Sequence, residues 1–312
     1  MHSENRIFII GSGAIGKALA VFLKLAGREV VLVRGSVDKE SSRTERIRVE
    51  TANDIIHQAE LEIATLSAFD EMNGIIVLTN KSYGNEHLSS VLKTKKGSSP
   101  VVLLQNGLGV EQAFIANDFT EVYRCVLFVT SQSIDDRSVR FKPVAFSPVG
   151  IEKGTSATLN TIVKHLHTAD FPFSSEENIQ HTIWKKAIIN CVFNSVCPLL
   201  ETENGIFHRN ETALSLAKRL IAECTTIAAC KGISISADEV EETLQQISKS
   251  SEGQLISTLQ DIRNHRRTEI DTLNLEIVKI AHSLGKEHEV QSTQLLGELT
   301  KLKADLNITD HK

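Results

Sequence analysis

The sequence predicts an α/β domain built on a parallel sheet, followed by a mostly α-helical domain. A short apolar run near the N-terminus leads directly into a glycine-rich segment, and similar apolar runs recur in the first half of the chain. From about residue 174 onward, helical periodicity replaces these runs. A length of 312 residues allows two domains, and 41% apolar residues can form a sizeable core, which excludes disorder as the main character. We therefore divide the chain into domains 1–173 and 174–312.

The N-terminal segment predicts a strand, a glycine-rich turn, a helix and a second strand. Residues 6–10 (RIFII) form a continuous apolar run, as expected of a strand that is covered on both faces. The turn GSGAIG follows at 11–16, then a good helix-forming segment at 17–26 and a second apolar run at 30–33. This order predicts an α/β Rossmann-type N-terminal domain that binds a dinucleotide.

The three glycines of the turn have separate roles in such a fold. Gly11 permits the tight turn, Gly13 lets the backbone approach a pyrophosphate, and Gly16 lets the helix lie close to the sheet. The helix N-terminus adds N–H groups and a partial positive charge. The alternative interpretation is a glycine-rich turn without a ligand. The residues predicted to bind the cofactor here are Gly11, Ser12, Gly13, Ala14, Ile15 and Gly16.

The end of the second predicted strand indicates which cofactor is bound. NAD-binding folds usually place an acidic residue there, whereas this chain has Arg34. A guanidinium can bind a phosphate through two hydrogen bonds. We therefore predict NADP (NADPH) rather than NAD, the alternative being a surface arginine at a strand end.

Two further apolar runs, 75–79 and 101–104, predict buried strands whose carboxyl ends face the ligand crevice. Lys81 follows the first run, and Asn106 follows the second, directly before Gly107-Leu108-Gly109. Asn106 is either an amide placed near the cofactor or a simple turn residue. Shorter β-rich segments follow at 125–129 and 138–141. Helical patterns are found at 155–169, 179–200, 211–231, 237–248, 252–264 and 268–284.

A polar stripe runs along the predicted helix at 179–200. Apolar residues cover most of this helix, yet Lys186, Asn190 and Asn194 recur at i, i+4 and i+8 on one face. An unpaired buried polar group costs about 1–3 kcal/mol, so the stripe is expected to meet water, a partner or a ligand. The alternative is the solvated edge of an amphipathic helix. A second polar cluster lies at 257–271, and spacing alone favours the interpretation of Thr268–Asp271 within it as a mere helix start with acidic residues.

Composition excludes several other classes of function. The formal net charge is −5 and aromatic residues make up 5%, which argues against nucleic-acid binding. Five cysteines without a close pair indicate free thiols in a reducing compartment, and the 11 histidines form no convincing metal site. We see no secretory signal and no apolar run near the ~18–20 residues of a membrane span. We therefore expect a cytoplasmic protein that binds neither metal nor membrane.

Taken together, these residues resemble the ketopantoate reductase (2-dehydropantoate 2-reductase) family over essentially the full chain. The shared landmarks are the turn at 11–16, Asn106–Gly109, Trp184 with the stripe that follows it, and Thr268–Asp271. The chain has Gln254 where an asparagine is often found, and Leu275 where a glycine often follows the asparagine. Both differences bear on which 2-oxo acid is the substrate.

The resemblance implies NADPH-dependent reduction of 2-dehydropantoate to (R)-pantoate, on the pathway to pantothenate and coenzyme A. It implies that Lys186 is the general acid and that Arg34 and Lys81 meet the 2′-phosphate end of the cofactor. Substrate, lysine or nicotinamide would be positioned by Asn106, Asn190, Asn194, Ser257 and Glu269. Alternatives are a reductase of another branched 2-oxo acid and a non-catalytic NADP(H) sensor. By analogy, the helical domain could support a homodimer.

The chemistry is consistent with these roles. Hydride addition to a ketone leaves an alkoxide, which a nearby ammonium stabilises and protonates. Lysine is protonated at neutral pH because its ordinary pKa is about 10.4. Glu269, if adjacent, would orient Lys186 and oppose the loss of its charge on burial.

Overall fold

The computed structural model describes residues 6–35 and 40–309, and in them it shows one 11-stranded sheet followed by helices. The strands are β1 (Ile7–Ile10), β2 (Val30–Arg34), β3 (Arg43–Glu50), β4 (Ile56–Thr65), β5 (Ile75–Leu78), β6 (Val101–Leu103), β7 (Val122–Cys125), β8 (Val129–Ser133), β9 (Ser138–Pro143), β10 (Ser147–Lys153) and β11 (Phe173–Ser175). The helices are α1 (Ala14–Leu25), α2 (Asn85–Lys93), α3 (Gln112–Ala116), α4 (Ser156–Leu166), α5 (Ile179–Leu199), α6 (Ile206–Arg209), α7 (Glu211–Cys230), α8 (Ala237–Ser250), α9 (Ser257–Arg263), α10 (Asn274–Ser283) and α11 (Gln291–Thr309).

The centre of the sheet is parallel. Strand β1 pairs with β2 on one side and β5 on the other, and β6 and β7 continue the parallel order beyond β5. All four residues of β1 are buried because both faces are covered: Ile7 and Ile9 join one apolar cluster, Phe8 and Ile10 the other. The predicted Rossmann-type domain followed by a mostly helical domain is confirmed.

The sheet also contains a long hairpin that the sequence pattern did not predict. Strand β3 pairs antiparallel with β4, which in turn pairs parallel with β2. The segment Arg43–Glu50 is rich in charged residues, and only Ile47 and Val49 are buried. Cross-strand ion pairs such as Arg46–Glu60 stabilise its exposed face. The sequence of Arg43–Glu50 therefore resembles a polar loop more than a strand.

The described chain separates into two compact units. One contains the chain up to Gln105 together with Val110–Ile179, and the other contains Asn106–Gly109 together with the chain from Gln180 onward. The second unit is helical, and α5 is buried along most of its length. Four helices of this unit differ from expectation: α9 begins only at Ser257 and α10 only at Asn274, and neither α6 nor α11 was predicted. In the part of the chain that the structure describes, no helix is long and apolar enough to cross a membrane.

Candidate functional site

The glycine turn between β1 and α1 leaves space at the helix N-terminus. A side chain at Gly11 would lie 2.5 Å from the backbone nitrogen of Asn80, and Gly11 has a φ of +120°. A side chain at Gly16 would overlap the Gly11 carbonyl oxygen. At Gly13, by contrast, an added Cβ would meet no atom within 4 Å. Gly11 and Gly16 therefore serve close packing, while Gly13 borders open space beside the first turn of α1, where helix N–H groups lack intrahelical partners.

A cavity of about 410 Å³ lies in the same unit, near the end of β2. Leu32, Ile47 and Ile63 supply apolar side chains to it, and Ser12 of the glycine turn also lines it. Its charged lining consists of Glu45, Asp136 and four cations, Lys17, Arg34, Arg43 and Arg137. The cavity is therefore rich in positive charge beside the turn that is predicted to bind a pyrophosphate.

The arginines of this cavity already bind carboxylates of the chain. Glu40 accepts hydrogen bonds from Arg34 and from Arg43, the latter at 2.9 Å. Glu45 accepts a hydrogen bond from Arg43, and its carboxylate lies 3.7 Å from Arg137. The guanidiniums are thus arranged so that one anionic group can bridge two of them.

The sequence predicted Arg34 at this position but not Arg43, Arg137 or Lys17. Arg43 lies on the unpredicted hairpin and Arg137 precedes β9, so no signal within the first forty residues could have found these two arginines; Lys17 directly follows the glycine turn. Lys81 follows β5 and is half-buried, but it is not among the residues that line this cavity.

Side-chain amides connect the loops that follow β5 and β6. Asn85 and Gln105 exchange two hydrogen bonds of 2.8 Å, and Gln105 also donates to the carbonyl oxygen of Asn80 at 2.9 Å. Asn85 donates in addition to the carbonyl oxygen of Val110 at 2.8 Å. The two ends of the Asn106–Gly109 turn are therefore held by the same buried asparagine.

The Asn106–Gly109 turn itself packs against the segment that carries Glu269. The N–H of Leu108 donates to the carbonyl oxygen of Thr272 at 2.8 Å. A side chain at Gly107, whose φ is +95°, would lie 2.5 Å from that oxygen. Thr272 in turn donates its N–H to the carbonyl oxygen of Glu269 at 3.0 Å. Asn106 and Glu269, which are both half-buried, thus belong to adjoining, hydrogen-bonded segments.

Helix α5 connects the polar stripe to Ser257. Lys186 and Asn190 are half-buried, whereas Asn194 is only 3% exposed. The Asn194 amide donates to the carbonyl oxygen of Asn190 at 3.0 Å, and its oxygen accepts hydrogen bonds from the N–H of Thr258 at 3.3 Å and the hydroxyl of Ser257 at 3.4 Å. Asn194 therefore holds the start of α9, with the exposed Ser257, against the helix that carries Lys186.

The neighbouring lysine has a different environment. Lys185 donates to the Glu239 carboxylate at 2.6 Å, and this hydrogen bond lowers the pKa of Glu239 below its ordinary value of 4.5. The two adjacent lysines therefore have different surroundings. Lys185 is bonded to a carboxylate on α8, and Lys186 lies on the stripe with Asn190 and Asn194.

Leu275, which differs from the family pattern, is accommodated within the helical unit. A side chain at Gly297 of α11 would lie 3.0 Å from Leu275 and 2.8 Å from Asn274. The leucine therefore packs where α11 has no side chain.

Among the described residues, no cluster of three or more histidine, cysteine or carboxylate side chains could hold a metal ion.

Comparisons with known proteins agree with this architecture. Residues 7–146 match the family Ketopantoate reductase PanE/ApbA, and residues 178–304 match the family Ketopantoate reductase PanE/ApbA C terminal. The 2-dehydropantoate 2-reductase of Pyrococcus abyssi is 28% identical over 285 residues, which cover 90% of this chain and 93% of that protein. The enzyme of the same name from Pyrococcus horikoshii is 26% identical, with coverages of 96% and 98%.

Solved structures share the fold over nearly the whole chain. A ternary structure of D-mandelate dehydrogenase with NADH and anilino(oxo)acetate has a TM-score of 0.83 at 23% identity, covering 97% of this chain and 99% of that one. The PanE/ApbA family ketopantoate reductase of Ralstonia eutropha has a TM-score of 0.81 at 24% identity, with the same coverages. The chain therefore belongs to the ketopantoate reductase family and is an oxidoreductase of that family.

Proposed function

We propose that this protein reduces 2-dehydropantoate to (R)-pantoate with NADPH, on the route to pantothenate and coenzyme A. One observation carries the proposal: Asn106 and Glu269 lie on adjoining hydrogen-bonded segments. In the same unit, Lys186 shares a helix with Asn194, whose oxygen accepts a hydrogen bond from Ser257. The relatives named above as 2-dehydropantoate 2-reductases support the same reaction.

The cofactor fits the N-terminal unit. The open space at Gly13 suits a pyrophosphate at the N-terminus of α1. Lys17, Arg34, Arg43 and Arg137 suit the 2′-phosphate that distinguishes NADPH from NADH, because guanidiniums bind phosphate through paired hydrogen bonds. Bound NADPH supplies the hydride that reduces the carbonyl carbon.

Lys186 supplies the proton in this proposal. As the carbonyl carbon gains its hydride, the oxygen becomes an alkoxide, and the Lys186 ammonium stabilises that charge and protonates it. Glu269 orients the ammonium, while Asn106, Asn190 and Ser257 donate hydrogen bonds to the substrate's oxygens. Asn194 acts as a positioning residue, since its oxygen accepts hydrogen bonds from Ser257 and Thr258.

The substitution Lys186→Ala tests the proton donor. We expect kcat to fall by roughly 10²–10⁴-fold, the usual contribution of a positioned acid, while NADPH binding measured by nicotinamide fluorescence is retained. Lys185→Ala is the matched control, because Lys185 is bound to Glu239 on another helix. Near-normal turnover by the Lys186 variant would remove that lysine from the mechanism.

A second experiment tests cofactor choice. Glu40 competes with a phosphate for Arg34 and Arg43, so Glu40→Gln should lower the Kd of NADPH several-fold and leave that of NADH nearly unchanged. Arg43→Met should have the opposite effect. Glu60→Gln, which removes a carboxylate paired with Arg46 away from the cavity, is the control. Equal kcat/KM values for NADPH and NADH would contradict the assignment.

The second candidate is reduction of another branched 2-oxo acid on the same scaffold. Gln254 is exposed three residues before Ser257, where the family often has asparagine, and the D-mandelate dehydrogenase structure has the same fold. A panel of 2-oxo acids with NADPH, followed by nicotinamide absorbance, separates these candidates. Tight NADPH binding without turnover of any acid would instead favour a non-catalytic NADP(H) sensor.

A further inference from the structure

A carboxylate in the turn after α5 holds the α8–α9 loop, which comprises residues 251–256. Glu203 accepts hydrogen bonds from the N–H of Gly205, in its own turn, and from the N–H of Gly253, in the loop, both at 2.6 Å. Both bonds go to the same oxygen, Oε2. Hydrogen bonds to an ionised carboxylate are shorter than those between neutral groups and about twice as strong. One side chain therefore joins two segments that are 50 residues apart in the chain.

Further hydrogen bonds extend this contact along the α8–α9 loop. The N–H of Asn204 donates to the carbonyl oxygen of Gln254 at 2.9 Å, and the side-chain amide of Gln260 donates to the carbonyl oxygen of Leu255 at 2.7 Å. Gly253 has a φ of +78°, a conformation that glycine adopts readily and can also leave readily. Partners outside the loop therefore fix its backbone, and a shift of Gly253 would move the residues that lead into α9.

The Glu203 carboxylate is itself oriented by an arginine. The Glu203 side chain is 20% exposed, and its second oxygen, Oε1, accepts a hydrogen bond from Arg209. Arg209 also donates to the carboxylate of Glu252, the residue before Gly253, at 2.5 Å. Ion pairs that are partly exposed, as these are, contribute little to stability by themselves. We therefore assign Arg209 an orienting role, which leaves Oε2 to the two glycine N–H groups.

The α8–α9 loop leads to Ser257, which the proposed function assigns to the substrate. The Ser257 hydroxyl donates to the side-chain oxygen of Asn194 at 3.4 Å, and the N–H of Thr258 donates to the same oxygen at 3.3 Å. Both distances exceed about 3.2 Å, the upper end of the usual range, so these two bonds alone hold the start of α9 weakly. Glu203 adds a shorter, charge-assisted contact four residues earlier, at Gly253. The start of α9 is thus held both by α5 and by the turn that follows α5.

We propose that Glu203 is a positioning residue for the substrate. By fixing the α8–α9 loop, it places the Ser257 hydroxyl where that group meets an oxygen of the 2-oxo acid, and it acts through Ser257 without touching the acid. A loop that is held in advance loses less conformational entropy when the ligand binds. The hydroxyl binds the acid equally before and during hydride transfer, so Glu203 affects the KM of the acid far more than kcat. This inference rests on the proposed function.

Hydrogen exchange of the full chain, followed by mass spectrometry without substrate, tests the contact with the loop. In Glu203→Ala, the amides of residues 251–257 should exchange at least about tenfold faster than in the wild type, because Gly253 loses its acceptor. The matched control is Glu223→Ala, since the Glu223 carboxylate also accepts two backbone N–H bonds, at the start of α11. This control should leave exchange in 251–257 unchanged. A Glu203→Ala variant with wild-type exchange in this segment overturns the proposal.

Steady-state kinetics test the consequence for the substrate. With NADPH and 2-dehydropantoate, Glu203→Ala should raise the KM of the acid about tenfold, lower kcat by less than about threefold, and leave the Kd of NADPH unchanged. Glu203→Gln should recover most of the wild-type KM, because its amide oxygen can accept the same two N–H bonds. Glu223→Ala should keep the wild-type KM. A purely structural role would lower the stability of both alanine variants and change KM in neither.

Glu203→Asp is the second variant, for use if Glu203→Ala does not fold. It keeps the charge but shortens the side chain, so it should raise both the exchange rate and KM as alanine does. Faster exchange with a wild-type KM overturns the proposal and leaves the proposed function standing. A wild type that reduces no 2-oxo acid refutes the proposed function, and the role of Glu203 in substrate binding with it, even where the exchange results are as expected.

Discussion

The glycine turn offers a way to separate cofactor binding from folding. Gly13 has a φ of −75°, which any residue can adopt, and a Cβ there would meet nothing within 4 Å. Gly13 is the N-cap of α1, where alanine is a poorer cap than glycine, so Gly13→Ala should lower the free energy of unfolding by no more than about 1 kcal/mol. The same methyl group would occupy the space proposed for the pyrophosphate. Loss of one charge-assisted hydrogen bond there, about 1.5–3 kcal/mol, would raise the Kd of NADPH by roughly 10- to 100-fold.

Gly16→Ala is expected to behave in the opposite way. Its Cβ would overlap the Gly11 carbonyl oxygen and lie 2.7 Å from the hydroxyl of Thr79, so the fold must shift to accept it. Overpacking of this kind costs about 1–3 kcal/mol or more. Gly27→Ala is a control for backbone strain alone, since Gly27 has a φ of +76° but open space around it.

Urea unfolding of the three variants and titration with NADPH followed by fluorescence provide the two measurements. The reasoning requires that the free energy of unfolding of Gly13→Ala lie within about 1 kcal/mol of the wild-type value and that the variant bind NADPH weakly. It would be refuted by a Gly13 variant with normal NADPH affinity, or by one that is as unstable as the Gly16 variant.

Three further predictions concern packing, capping and pH. Gly107→Ala should lower the free energy of unfolding by about 2–4 kcal/mol in urea titrations, because a positive φ and a contact with the Thr272 carbonyl oxygen act together. Glu223→Gln should cost about 1–2 kcal/mol in the same assay, since an amide replaces one of the two carboxylate oxygens that cap α11. The pKa of Glu239 is lowered in the folded protein, so its pairing with Lys185 stabilises the fold above pH 4.5, and this contribution disappears as the pH falls through the lowered value. Lys185→Met should therefore be less stable than the wild type at neutral pH, by at most about 1 kcal/mol because the pair is partly exposed, and the difference should vanish in unfolding curves recorded below that pH.

The parts of the fold that were predictable are those with a single dominant pattern. Strands β1, β2, β5 and β6 are buried on both faces and appear as continuous apolar runs, and α5 appears as a long segment that is apolar on most sides. Helix α11 was missed because its exposed leucines, such as Leu295 and Leu299, face away from its small buried residues, such as Gly297 and Thr300, so no single apolar face stands out. The β3–β4 hairpin was missed because its stability comes from pairing across the sheet, which local sequence does not show.

The candidate site also has parts that local sequence shows and parts that it does not. Residues on one helix, such as Lys186, Asn190 and Asn194, could be grouped from their spacing, whereas contacts between distant segments could not. Neither the hydrogen bond of Ser257 to Asn194 nor the position of Arg43 beside Arg34 leaves a periodic signal in the chain. Such contacts depend on sheet order and helix packing, which are properties of the whole fold.

The Asn106 turn is restrained by long-range contacts of this kind. A surface turn asparagine needs no support beyond its glycines, yet here Asn85 bonds both Gln105 before the turn and Val110 after it. Leu108 is bonded in addition to Thr272. Two sets of buried hydrogen bonds thus define the backbone of four residues, and a loop restrained in this way loses little entropy when its side chains bind a ligand. If Asn106 binds a ligand as proposed, this restraint would leave the backbone of its turn preorganised for that contact.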